Sequence, residues 1–143
     1  MAGLYLIVDI DGERIAVTAS DVESVVELDT LTPVPGSAPH ILGLSALRSR
    51  VLSVIDCRTA IGLPPAKEPR REAMVVNIGG HPYALLVDRV EDVVESAGEP
   101  APATTLPSPN WAEVSRGMIE VGENIFLLVD PAAIIEGPSR RAA

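Results

Sequence analysis

The residue types that most often carry chemistry are scarce in this chain. There are two histidines, His40 and His81, and one cysteine, Cys57. A metal centre needs His, Cys or carboxylate ligands at short matched spacings, and neither histidine has such a neighbour. His40 follows Pro39 and His81 precedes Pro82, so both read as surface histidines in loops. A nucleophilic thiol needs a base and a positive site that lowers its pKa. Cys57 reads as a strand-end residue, whose neighbour Arg58 points to the opposite face, which leaves it a buried or half-buried inert thiol. One cysteine also excludes an internal disulfide and a multi-cysteine metal site.

The carboxylates read as structural or solvated. Asp9, Asp11, Gly12 and Glu13 look like part of a calcium loop, but strand-like flanks make Asp11-Gly12 a hairpin turn instead. Asp88, Glu91 and Glu95 form an acidic stretch expected to face solvent. There is no phosphate loop ending in Lys-Ser/Thr and no Gly-x-Ser-x-Gly turn. The expectation is therefore no catalytic residue, no metal, no cofactor and no enzyme. Against this background Arg48 and Arg50 stand out. They lie close together between two apolar runs, and the planar guanidinium fork suits carboxylates across an interface.

Charge and composition narrow the class of partner. A net charge of −9 argues against nucleic acid and against an anionic membrane surface. No apolar run approaches the ~18 residues of a membrane span. The start, Met1-Ala2-Gly3-Leu4, lacks the basic region of a secretion signal, and with one cysteine the expected compartment is the cytoplasm.

The elements that must position these residues are short. Aromatics make up only 3% of the chain, so the core must come from Val, Ile, Leu and Ala, which favours strands. Thirteen prolines and eleven glycines punctuate them. Strands are expected at residues 4–10, 14–18, 24–28, 41–47, 51–56, 73–78, 83–87, 118–121 and 125–129, with a further short element at 90–95. Asp11-Gly12, Gly79-Gly80 and Gly122-Glu123 serve as hairpin turns. A helical turn is expected at residues 19–23 and a short helix at 132–136, opened by Pro131 and stopped by Gly137-Pro138.

The chain also repeats itself. At an offset of 68, the step from Gly12 to Gly80, the residues Ala16, Val22, Glu23, Val25, Val26 and Glu27 meet Ala84, Val90, Glu91, Val93, Val94 and Glu95. At an offset of 74, Gly43, Asp56 and Ile61 meet Gly117, Asp130 and Ile135. Two related halves, each too small for a good core, point to two small barrels sharing one chain. The expected unit is residues 4–137, with one barrel at roughly 4–65 and the other at roughly 72–137. The proline-rich segment 63–71 joins them, strand exchange between them is left open, and 138–143 is a frayed tail.

Several segments together resemble a known family. They are Asp21-Val22-Glu23-Ser24-Val25, Gly43-Leu44-Ser45-Ala46-Leu47-Arg48-Ser49 and Leu52-Ser53-Val54-Ile55-Asp56-Cys57-Arg58. The second half adds Tyr83-Ala84-Leu85-Leu86-Val87-Asp88-Arg89-Val90-Glu91-Asp92-Val93 and Ile125-Phe126-Leu127-Leu128-Val129-Asp130-Pro131. In this order, over Leu4 to Glu136, they resemble the CheW-type coupling proteins, adaptors of bacterial chemosensory arrays. The resemblance implies an all-β fold with short helices, built as two packed five-stranded SH3-like β-barrels. It implies a non-enzymatic scaffold that couples the regulatory domain of a CheA-type histidine kinase to the cytoplasmic tip of methyl-accepting chemoreceptors. It implies recruitment to membrane-associated receptor arrays without insertion in the membrane.

Carried across, Arg48 matches the arginine of the family's Leu-Arg motif, and Val22 and Gly43 match positions in its receptor groove. With Ser24 and Leu47 they are the candidate receptor-binding residues; none is assigned to the kinase. The chain departs from the family pattern at Ser24 (Glu in the family), Ala46 (Asn), Ser49 (Gly) and Ser53 (Pro). A serine where positive φ is needed would alter the turn at residue 49. Two rival readings are a CheW-like adaptor of a non-chemotactic pathway and a small-ligand binder with a pocket between the halves.

Overall fold

The computed structural model describes residues 3–68 and 71–141, with side chains as far as Gly137. Met1-Ala2, Pro69-Arg70 of the expected linker and Ala142-Ala143 of the expected tail lie outside the described residues. The strands are β1 (Gly3–Ile10), β2 (Glu13–Thr18), β3 (Val22–Glu27), β4 (Ile41–Leu47), β5 (Arg50–Asp56), β6 (Glu72–Ile78), β7 (His81–Leu86), β8 (Arg89–Ser96), β9 (Ser115–Val121) and β10 (Asn124–Val129). The helices are α1 (Cys57–Ile61) and α2 (Pro131–Arg141), and short 3-10 turns occupy Ala19–Asp21 and Pro109–Val114.

The strands form two five-stranded sheets, ordered β8-β1-β2-β10-β9 and β3-β6-β7-β5-β4. Neither sheet belongs to one half of the chain. Hairpin β1–β2 joins strands from the second half, and hairpin β6–β7 joins strands from the first. The expected boundaries at 4–65 and 72–137 therefore do not coincide with the sheets. Local turn chemistry builds each hairpin, but the sheet it enters is chosen by distant partners. The turn at Ala19–Asp21 carries the chain from the first sheet to the second, and Val87-Asp88 carries it back.

The repeat offsets are structural equivalences. Leu6 pairs with Val93 as Met74 pairs with Val25, and Val8 pairs with Val90 as Val76 pairs with Val22. The parallel pair Leu128–Ala16 matches Val54–Ala84. The β-bulge at Leu128/Val129 opposite Gly117 has its counterpart opposite Gly43.

Each sheet is apolar on both faces, and this dictates the shape. One face of each packs into a shared core that holds Leu6, Val8, Ile15, Val17, Leu127 and Val129 from one sheet and Ile55, Met74, Val76 and Leu85 from the other. The remaining faces pack on themselves. In the first sheet Tyr5, Ile7, Ala16, Phe126 and Leu128 meet Val94 and Val121 from the two edge strands. In the second, Leu52, Val54, Val75 and Ala84 meet Val26 and Leu42 from its two edges. A sheet buries a second apolar face without a covering layer only by curling until its edges approach. The Ser96 hydroxyl, donating to the Glu120 carbonyl at 2.8 Å, ties β8 to β9 in this way.

Three expectations are corrected at the helices. Cys57 opens α1 and is not a strand end, because Asp56 caps it by accepting from Arg58 N and Gly62 closes it in the left-handed region. His40 is buried, with Nε2 donating at 2.8 Å to the Ile135 carbonyl, two residues before the break in α2 at Gly137. Asn110 Nδ2 does the same for the equivalent Ile61 carbonyl of α1 at 3.0 Å. Each helix end is thus capped by a side chain from the segment that precedes β4 or β9, which satisfies carbonyls that a helix leaves open. Gly137, with φ 71 and ψ −177, interrupts α2 where a stop was expected, and a second helical stretch of backbone follows it to Arg141, where a frayed tail was expected. Trp111, in the 3-10 turn Pro109–Val114, fills the shared core.

Candidate functional site

The five candidate receptor residues fall on the two edges of the second sheet, Val22 and Ser24 on β3, Gly43 and Leu47 on β4, with Arg48 in the turn beyond it. The curl brings the two edges together. Arg50 Nη1 reaches Glu23 Oε2 on β3 at 2.8 Å and holds that carboxyl below its usual range. Arg50 opens β5 and is the register partner of Leu47, so this ion pair ties β3 to the β4–β5 turn that carries Arg48.

Their environments differ. Val22 is half-buried against the shared core. Leu47 is half-buried against the inner cluster of its sheet. Gly43 is buried at the bulge with φ 147, and a Cβ there would lie 2.2 Å from the Thr32 carbonyl oxygen. At its counterpart Gly117 (φ 126) a Cβ would lie 2.4 Å from the Ala101 carbonyl oxygen. Gly43 is thus glycine because two backbones touch, and it presents no side chain to a partner. Ser24 and Arg48 are exposed.

Arg48 carries the clearest signal. Its φ is 58, in the left-handed region, where the equivalent residue of the other half is Gly122 at φ 60. It makes no ion pair among the described residues, while Arg50 is held by Glu23. The expected strain at Ser49 is absent, since among the described non-glycine residues only Asp11 and Arg48 have positive φ. A bulky, strained, unpaired cation at a position that glycine fills in the repeat is not explained by folding.

Beside this turn the outer face of β4–β5 is apolar. Ala46 faces Val51, which is 60% exposed, and Leu44 faces Ser53. The equivalent face of the first sheet carries Met118, Glu120 and Ile125, which is also 60% exposed. It borders a cleft of about 510 Å³ lined by Glu95, Glu99 and Glu120 as well as Met118 and Ile125. The two related faces thus carry opposite charge at their rims.

No catalytic constellation accompanies these surfaces. His81 is exposed, and Cys57 is buried with its thiol pushed far up by burial and then by Asp56 and Asp88. No group of three His, Cys, Asp or Glu side chains able to hold a metal occurs among the described residues. Asp88, expected to be solvated, is instead tied to Arg58. Arg58 Nε reaches Asp88 Oδ1 at 3.0 Å and Nη2 reaches Oδ2 at 2.6 Å, while Nη1 reaches Asp11 Oδ1 at 3.0 Å. Asp11 N also donates to Asp88 Oδ2 at 2.6 Å. The network joins α1, the β1–β2 turn and the return crossover. Glu91 pairs with Arg14 at 3.1 Å.

Comparison with known proteins gives one consistent result. A family model described as a CheW-like domain matches residues 4–139. The chemotaxis protein CheW of Bacillus subtilis is 30% identical over 140 residues, covering 94% of this chain and 87% of that protein. The chemotaxis protein CheW of Thermotoga maritima is 25% identical over 128 residues, covering 90% of this chain and 84% of that protein. The crystal structure of the scaffolding protein TtCheW from Thermoanaerobacter tengcongensis superposes with a TM-score of 0.80 at 20% identity, over 91% of this chain and 90% of that one.

Proposed function

The chain belongs to the family of CheW-like domains, and from that premise we propose that it holds a CheA-type histidine kinase and a methyl-accepting chemoreceptor together. It is a non-enzymatic scaffold of the chemotaxis type. The observation that carries the finer reading is the pair of unlike surfaces on two different sheets. One has the free Arg48 at its tip beside Ser24 and Leu47, and the other has Ile125 exposed beside an acidic cleft.

Two separate surfaces let two partners bind at once, and a shared scaffold raises their effective concentration for each other. The surface at Arg48 takes the helical receptor tip. Charged tips of this kind steer partners and fix register, and a guanidinium matches carboxylates along a helix. The apolar face around Ile125 takes the kinase's regulatory domain, in a contact of modest area that stays reversible. No helix among the described residues is long and apolar enough to cross a membrane. The scaffold acts from the cytoplasm, and the receptor brings it to the membrane.

The test is separate loss of each partner. Arg48→Glu is expected to weaken receptor capture while kinase capture and the thermal melt stay as in the wild type. Ile125→Glu is expected to weaken kinase capture alone. Unchanged receptor capture by Arg48→Glu removes Arg48 from that surface.

A further inference from the structure

We propose that the β1–β2 hairpin exchanges between two copies of this chain, with the turn Ala19–Asp21 as the hinge. Three observations carry this. The hairpin completes a sheet whose other three strands, β8, β9 and β10, come from the far half of the chain. Its contacts are therefore satisfied equally by a second copy, which supplies the same three strands in the same register.

The two crossovers between the sheets are also held very differently. At the return crossover Asp88 N donates to the Asp9 carbonyl at 2.9 Å, Val87 N donates to the Glu72 carbonyl at 3.1 Å, and Arg58 clamps the Asp88 carboxylate. Val90 N is held by the Glu72 carboxylate as well. The first crossover has no buried residue and no side-chain cap. Among the described residues its one side-chain tie to another element is Asp21 Oδ2, reached by Arg116 Nη1 at 3.2 Å.

That ion pair belongs to the closed hinge. Every contact between the hairpin and β8 or β10, and the Asp11–Arg58 pair, re-forms in an exchanged dimer. The hinge geometry does not. An interaction present only in the closed form tilts the equilibrium toward the monomer, and Asp21 supplies it. Arg116 keeps Asp130 at 2.8 Å when Asp21 is neutralised, so Asp21→Asn leaves no cation stranded. The inference is independent of the adaptor reading.

The experiment uses the full chain carrying Leu4→Cys and Glu95→Cys, since these residues are direct partners across β1 and β8 and both are exposed. Cys57 is buried and does not compete. The protein is refolded at low and at high concentration, oxidised, and analysed by size-exclusion chromatography with light scattering and by non-reducing electrophoresis. Refolding at high concentration is expected to yield a dimer whose engineered disulfide joins two chains. Two hinges open per dimer, so Asp21→Asn in the same background is expected to raise the dimerisation constant about three- to tenfold. A monomer at every concentration overturns the proposal, as does a dimer whose engineered disulfide stays within each chain. An unchanged constant in Asp21→Asn overturns the assignment of the hinge.

Discussion

Replacing Arg48 with glycine should make the protein slightly more stable and markedly worse at its task. The residue sits at φ 58, where an L side chain costs about 1–2 kcal/mol relative to an unstrained conformation. Glycine removes that strain but adds unfolded-chain freedom worth roughly 0.5–1 kcal/mol. Among the described residues Arg48 makes no ion pair whose loss would offset the gain. The balance is a stabilisation of about 0.5–1 kcal/mol, or about 2 °C in the melting temperature of a domain this size. An arginine at the centre of a contact typically contributes about 2 kcal/mol, so receptor binding should fall about thirtyfold. The assay is a pair of measurements on Arg48→Gly, a thermal melt by circular dichroism and a receptor titration. A melting temperature several degrees lower would refute the claim that the side chain is dispensable to the fold. Unaltered receptor affinity would refute the claim that the strain is retained for binding.

Three further outcomes test the architecture. Arg58→Ala strands two carboxylates around a side chain that is only 15% exposed, and should cost about 3 kcal/mol in urea unfolding. Gly43→Ala and Gly117→Ala each drive a Cβ into a carbonyl in the positive-φ region, and each should lower the unfolding midpoint by the equivalent of about 2–4 kcal/mol, to a similar degree if the two halves are equivalent. His40→Ala leaves the Ile135 carbonyl unsatisfied and opens a void, costing about 1–3 kcal/mol, whereas His40→Asn, copying Asn110, should recover part of the loss in the same unfolding assay.

Much of this fold is legible in the chain because its signals are local. Asp11-Gly12 and Gly79-Gly80 announce two hairpins, and both turns have positive φ at each central residue. The offset of 68, read from the letters of the chain, relates the pairings Leu6–Val93 and Met74–Val25, and the offset of 74 joins it in relating Leu128–Ala16 to Val54–Ala84. The exchange of hairpins between sheets is not legible, since the same alternating apolar pattern serves either sheet. Helix α1 escapes because five residues carry little periodicity, although Asp56 and Gly62 are its cap signals. His40 escapes because a Pro-His step reads as loop; its counterpart in the other half, the core residue Val114, is the available clue. At the surface, two arginines stand out in an acidic chain, but only backbone geometry separates strained, unpaired Arg48 from Arg50, which Glu23 engages. Gly43, matched to a receptor groove by resemblance, proves to be a place where two backbones touch.

The central claim is that one chain holds two partners on two surfaces at the same time. The direct measurement is reconstitution of the immobilised protein with a purified CheA-type kinase regulatory domain and a receptor cytoplasmic fragment, titrating each in the presence of saturating amounts of the other. Both partners are expected to be retained together, with neither displacing the other. Mutual displacement, or retention of neither, would contradict the claim.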